Sequence, residues 1–142
     1  MPQVKFAHVG ILVKDLDGVA RTMTDLLGCT AVAQPVDDPV QEARLLMLES
    51  ADTLLELIAP ASEQSKIHTM LKHRGEGPVH LCFETDDMAA TLAAVRKAGG
   101  MVFKGPDPAV LFGGRHVAFA MLPNRMMVEF VETGWREALE RP

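Results

Sequence analysis

The chain has 142 residues, a formal net charge of -5 and 48% hydrophobic residues, which suits one compact domain or two small halves that share a core. No basic run occurs, so duplex nucleic acid is not an expected partner, and no apolar run approaches the roughly 20 residues that cross a bilayer. A strand pattern starts too early for a signal peptide, and Cys29 and Cys82 show no disulfide framework. We therefore expect a cytoplasmic protein with two reduced thiols.

Hydrophobic periodicity in the first half predicts a strand, a helix and three further strands. Their predicted bounds are residues 4–13, 18–27, 29–34, 43–49 and 53–59. Gly28 is expected to end the helix. A turn-rich loop at residues 35–39 and a hairpin turn at residues 50–52 complete this half.

The second half repeats this order after a linker. A helix beginning at Ser62 and a polar stretch at residues 72–77 form the linker. The elements that follow are a strand at 79–85, a helix at 88–98, strands at 101–104, 116–121 and 126–132, and a short terminal helix at 135–140. Residues 105–114, rich in proline and glycine, are predicted to form a loop.

Sequence segments also recur between the halves. His8 matches His80 at an offset of 72, and Glu56 matches Glu129 at an offset of 73. The pattern is therefore βαβββ written twice, as module one at 4–59 and module two at 78–132, with a linker helix at 60–77 and a tail at 133–142. This predicts a single α+β domain in which two paired modules form a curved mixed sheet around a cleft.

Those four repeated residues are the candidate metal ligands. Side chains alternate along a strand, so each histidine and each glutamate stands among apolar neighbours. A buried, unpaired carboxylate is costly, and a divalent cation satisfies two imidazoles and two carboxylates together. A lone histidine on a strand is usually structural, but His8, Glu56, His80 and Glu129 form a symmetric set that favours metal ligation. The cation could be Co, Ni, Zn, Mn or Fe.

Three further residues are candidate substrate contacts. Arg115 ends the proline- and glycine-rich loop, which would be either a lid or merely a long hairpin, and could meet an anionic group. His116 follows it and could face the cleft or solvent. Cys82 shares a strand face with His80, although no base accompanies it and its thiol suits packing better than nucleophilic attack.

With these residues identified, the chain resembles the vicinal oxygen chelate superfamily from Phe6 to Glu132. Within that superfamily it is most similar to the methylmalonyl-CoA epimerase family. The resemblance is carried by four segments: HVGILVKDL from His8, LELIAP from Leu55, RGEGPVHL from Arg74 and VEFVE from Val128. By position, His8, His80 and Glu129 take the family's ligand places, and Glu56 falls where epimerases and bacterial glyoxalases carry Gln or Glu. The chain departs from this family in its third strand. Some epimerases carry an acid there as a proton-transfer base, whereas this strand has no acid before Glu49.

The resemblance implies a metal-dependent epimerase or isomerase that moves a proton next to a carbonyl, on a small-molecule substrate such as an acyl-CoA thioester. Glu129 or Glu56 would be the base, and the protein would be a homodimer. Three alternatives stay open: a glyoxalase I-type lactoylglutathione lyase, an oxygen-activating iron enzyme and a metal-free ligand-sequestering resistance protein.

Overall fold

The computed structural model describes residues 2–139, and its elements follow the doubled order. The strands are β1 (Val4–Leu12), β2 (Thr30–Ala31), β3 (Val36–Asp38), β4 (Ala43–Ser50), β5 (Thr53–Pro60), β6 (Gly77–Thr85), β7 (Met101–Pro108), β8 (His116–Met121) and β9 (Met127–Glu132). The helices are α1 (Leu16–Leu27), α2 (Lys66–Arg74) and α3 (Met88–Lys97), and a 3-10 turn covers Val110–Phe112. No helix in this described part is both long enough and apolar enough to cross a membrane.

Across residues 2–139 the nine strands form one curved sheet in the order β2-β4-β5-β1-β6-β9-β8-β7, with β3 paired to β4 at the side. Within each module the first and last strands are parallel, β1 with β5 and β6 with β9. The modules join in the middle, where β1 runs antiparallel to β6. The predicted α+β class and the pairing of two modules into a mixed sheet are thus confirmed.

The helices begin at side-chain caps and cover parts of the sheet. The side chains of Asp15, Ser65 and Asp87 each accept a hydrogen bond from a backbone N–H in the first turn of α1, α2 and α3, respectively. Helix α1 packs on β4 and β5, and α3 packs on β7 and β9, each over its own apolar cluster. A third cluster, which includes Met47, Cys82 and Phe112, forms the core beside the four candidate ligands.

Several predicted boundaries were wrong. A short strand, β3, lies inside the predicted loop at 35–39, and β2 has only two residues. Helix α2 begins at Lys66 rather than Ser62, because Ser65 caps it. Strand β7 continues into the predicted loop and ends at Pro108. It can do so because it is an edge strand, which tolerates proline and register shifts. The predicted helix at 135–140 is a series of turns up to residue 138; residue 140 lies outside the described residues.

Candidate metal centre

Each of the four central strands contributes one candidate ligand. Strand register sets two neighbouring rows across the sheet: His8, Cys82 and Glu129 lie side by side on β1, β6 and β9. In the next row Gly10 lies between Glu56 of β5 and His80 of β6. Each row therefore supplies one imidazole and one carboxylate, with one residue between them.

The four side chains meet at one point. One ligand atom from each of His8, Glu56, His80 and Glu129 lies within 4.8 Å of the others. Glu129 Oε1 is 3.1 Å from His8 Nε2 and 3.0 Å from His80 Nε2. Glu56 Oε1 is farther from the same two nitrogens, at 3.5 Å and 3.6 Å. The structure thus brings together all four residues predicted from the repeat.

Burial and missing hydrogen bonds make this cluster suitable for a cation. The side chains of His8, Glu56, His80 and Glu129 are 0%, 4%, 3% and 1% exposed. His80 Nε2 makes no hydrogen bond, despite its closeness to Glu129, and neither does His8 Nδ1. Two buried carboxylates and an unpartnered ring nitrogen need compensation, and a divalent ion bound by nitrogen and oxygen supplies it. The four residues of the cluster therefore fit the predicted divalent cation.

The protonation of the cluster without a cation follows from the same contacts. Burial lowers the pKa of His8, but Cys82 and Glu56 beside it raise the pKa more, so the net shift is upward. Burial by itself raises the pKa of Glu129. The two imidazoles lower this pKa by more than burial raises it, so the net shift is downward. Burial raises the pKa of the Cys82 thiol. A bound cation would take the place of the proton that His8 otherwise shares with Glu129.

Gly10 and Cys82 are equivalent positions of the two modules, each two residues after a candidate histidine ligand. The ring of His80 covers Gly10 so closely that a Cβ there would lie 2.3 Å from its Cε1 atom. Gly10 is therefore the space into which His80 fits. At the other position the Cys82 side chain is fully buried and contacts His8, so the two histidines have different surroundings.

Aromatic side chains that the sequence did not single out enclose the imidazoles. The His8 ring lies 5.8 Å from Phe112 and 5.7 Å from Trp135, centre to centre, and the His80 ring lies 5.7 Å from Phe119. Trp135 belongs to the tail and Phe112 to the 3-10 turn, so neither lies on the repeated strands. The repeat does not include them, so the spacing of residues in the sequence could not predict that they lie beside the imidazoles.

A cavity of about 180 Å³ adjoins the cluster at His80. Its wall is mainly apolar, with Gln41, Lys66, Lys104 and His80 as the polar members, and it includes no carboxylate. Lys104 is held in place because its Nζ donates to the backbone carbonyl of Val40 at 3.1 Å. The cavity therefore suits a small apolar group that carries a negative charge.

The three predicted substrate contacts do not line this cavity. Cys82 is fully buried beneath the cluster. His116 is turned to Glu132, with Nδ1 2.8 Å from Oε1, at the far end of β8. Arg115 lies beside Gly134 in the tail. The alternation of side chains along a strand predicts which face of the sheet a residue occupies. It does not predict how far that residue lies from the cavity.

Comparisons with known proteins agree with the arrangement. A sequence model of the glyoxalase/bleomycin resistance protein/dioxygenase superfamily matches residues 7–119. The ethylmalonyl-CoA/methylmalonyl-CoA epimerase of Cereibacter sphaeroides is 30% identical over 113 residues, which are 79% of this chain and 84% of that protein. A solved structure of methylmalonyl-CoA epimerase in complex with methylmalonyl-CoA and NH4+ has a TM-score of 0.77 at 27% identity, covering 98% of this chain and 99% of that chain.

A shorter match is to a protein that is named for a different activity. The protein named "Probable lactoylglutathione lyase" of Vibrio cholerae is 34% identical over 59 residues, 42% of each chain. The chain is thus related to enzymes of two kinds. Together these matches confirm the resemblance indicated by the segments around His8 and His80.

Proposed function

Because the chain belongs to the glyoxalase/bleomycin resistance protein/dioxygenase superfamily, we propose that it is a metal-dependent epimerase that moves a proton next to the carbonyl of an acyl-CoA thioester. The observation that carries this proposal is the convergence of two imidazoles and two carboxylates beside a mainly apolar cavity, whose wall includes one of them, His80. The similarity to acyl-CoA epimerases supports the choice of substrate class.

His8, His80, Glu56 and Glu129 would hold the cation. When bound, a divalent ion supplies positive charge beside the carbonyl oxygen, where negative charge develops as the neighbouring proton leaves. This chemistry suits Co, Ni, Zn, Mn or Fe. His80 would define the position of the reacting group, because it is the candidate ligand that also lines the cavity.

The cavity would bind and shield the acyl group. An acyl group bound there would displace water from the mainly apolar wall, which would strengthen electrostatic interactions inside the cavity. Lys66 and Lys104 give the wall two positive charges, which would attract a carboxylate on the acyl group, as in a malonyl-type thioester. Gln41 is held by Asp38, to which its side-chain amide donates at 3.1 Å, so it presents a fixed polar group.

Glu56 is our candidate for the residue that removes and returns the proton. No carboxylate of residues 2–139 lines the cavity itself, so the base would come from the adjoining cluster. Glu56 Oε1 lies about half an ångström farther from the two imidazoles than Glu129 Oε1 does. The more loosely held carboxylate is the one that can turn towards a substrate proton. Glu129, which is hydrogen-bonded to His8 and lies 3.0 Å from His80 Nε2, would remain a ligand.

A glyoxalase I-type lactoylglutathione lyase is the second candidate. The match to the Vibrio cholerae protein favours it, and the same four donors would serve its proton transfer. A fourth candidate ligand, Glu56, argues against an oxygen-activating iron enzyme, since those enzymes use two histidines and one carboxylate. The homodimer and the cytoplasmic location expected from the sequence remain predictions.

Proton exchange tests the proposal directly. Protein stripped of metal and reloaded would be incubated with methylmalonyl-CoA in deuterium oxide, and in parallel with methylglyoxal plus glutathione. We expect deuterium to enter the acyl group of the thioester only after metal is restored. Glu56→Gln should slow this exchange by roughly 10²–10⁴-fold, the usual contribution of a general base, while still binding metal. Exchange at the parental rate in Glu56→Gln would refute its role, and turnover of the glutathione adduct alone would favour the lyase.

A further inference from the structure

A second, more open groove adjoins the cavity at the start of β6. The two share Val79, His80 and Met127, so they have one wall in common. The remaining wall of the groove comes mainly from the end of α2 and from the turn between β8 and β9, where it includes Arg74 and Arg125. A substrate too long for the cavity could therefore extend from it into this groove.

The groove carries positive charge without local compensation. Its lining contains two arginines and no carboxylate, although the whole chain has a net charge of -5. Among the described residues, no carboxylate lies within 4.0 Å of the guanidinium of Arg74 or Arg125, whereas Arg44 and Arg136 each have one. Both groove arginines are exposed. Such unpaired guanidinium groups are ready to bind an anion.

The backbone at Arg125 strengthens this interpretation. Arg125 has a φ of 70°, a left-handed conformation that favours glycine or asparagine and costs other residues of order 1 kcal/mol. Asn124 just before it closes the turn, since its side chain accepts the N–H of Met126. The turn thereby fixes the backbone from which the exposed Arg125 side chain extends at the rim of the groove.

We propose that the groove of Arg74 and Arg125 binds an anionic group at the far end of the substrate, while the reacting end occupies the cavity. This inference rests on the proposed function for the identity of the reacting end only. A phosphate or a carboxylate would be recognised by the planar, multiply donating guanidinium groups. The two sources are the phosphates of coenzyme A and the carboxylates of glutathione.

The kinetic test compares thioesters of one acyl group on two carriers. Methylmalonyl-CoA carries phosphates, and the matching pantetheine thioester carries none. We expect Arg74→Gln/Arg125→Gln to raise KM for the CoA thioester by at least about tenfold, as loss of a charged hydrogen bond implies, with kcat and the KM for the pantetheine thioester unchanged. The matched control is Arg21→Gln/Arg96→Gln, which removes two exposed helix arginines outside the groove. Equal effects on both thioesters, or none on either, would overturn the proposal.

A binding measurement keeps this test separate from the enzyme's activity. Calorimetry with coenzyme A, glutathione and pantetheine on the intact protein needs no turnover. We expect one of the two anionic molecules to bind, more weakly at higher salt, and to lose affinity at least about tenfold in the groove variant but not in the control. Binding of coenzyme A would assign the phosphates, and binding of glutathione the carboxylates. Absence of binding by both anions, or binding unaffected by the groove variant, would overturn the proposal even if the protein proved to be an epimerase.

Discussion

The imidazole of His80 lies directly against the backbone of Gly10. A Cβ on Gly10 would come within 2.3–2.6 Å of three atoms of that ring, closer than any contact allows. The backbone of Gly10 is not in the left-handed region, so alanine can adopt its conformation. We predict that Gly10→Ala folds but displaces His80, lowering metal affinity by roughly 10–100-fold, the range seen when the support of a ligand is lost. Competition with a chromophoric chelator measures this affinity.

The control for this prediction is the same Gly10→Ala substitution in a variant that lacks the His80 ring. In a His80→Ala background, Gly10→Ala should leave metal affinity unchanged, because the two changes act through one contact. An additive loss in the double variant would show that Gly10 acts elsewhere.

Metal should stabilise the fold, because the cluster joins the two modules. Glu56 and His8 come from module one, and His80 and Glu129 from module two. At a free metal concentration of 100 times Kd, binding stabilises by about 2.7 kcal/mol, which corresponds to a rise in Tm of roughly 10 °C for a chain of this size. Thermal melts with and without Zn2+ measure it. His8→Ala should abolish the shift and His73→Ala, on the exposed side of α2, should retain it; a shift that survives in His8→Ala would contradict the site.

Trp135 should report metal binding by its fluorescence. It is the only tryptophan of the chain, it is buried, and its ring lies 5.7 Å from that of His8. An open-shell ion such as Co2+ quenches a nearby indole, and closed-shell Zn2+ does not. We therefore expect stoichiometric quenching by Co2+ that Zn2+ reverses and that His8→Ala lacks. Unchanged emission after Co2+ has been shown to bind would place the ion elsewhere.

The pair of Glu132 and His116 should make stability depend on pH in the acid range. The backbone N–H of His116 donates to the Glu132 carboxylate and is the main cause that holds its pKa below the ordinary 4.5; the imidazole adds to this and partial burial opposes it. A lowered pKa in the folded state stabilises fully above the unfolded value and less as pH falls through the folded value. Glu132→Gln should therefore lower Tm at pH 7 and match the parent in strong acid.

Thermal melts between pH 2 and pH 7 test that prediction. Glu63→Gln, an exposed residue with no ion pair among the described residues, controls for the loss of one surface charge. A Tm difference for Glu132→Gln that stays constant down to the lowest pH would contradict it.

The candidate site was more predictable than several parts of the fold. A repeat places His8 and Glu56 at the same positions as His80 and Glu129, and the alternation of side chains along a strand sets each of them among apolar neighbours. These relations depend only on periodicity, so the sequence contains them. The convergence of the four residues needed no knowledge of loops.

Other features depend on packing between distant segments. Strand β7 runs through residues that read as a loop, because its place at the sheet edge relaxes the demand for hydrogen bonds. Trp135 reaches His8 only when the tail folds back on the sheet. For Arg115 and His116, the strand pattern could not say which end of β8 would lie near the cavity. Contacts of this kind leave no local signal.

The join between β1 and β6 within one polypeptide has a further consequence. A chain of half this length would carry one imidazole and one carboxylate, and two molecules would have to meet before four donors were present. In a single chain the set assembles at any protein concentration. The halves are also free to differ, as glycine at position 10 and cysteine at position 82 already do, so a binding chamber can form beside one histidine without its mirror image beside the other.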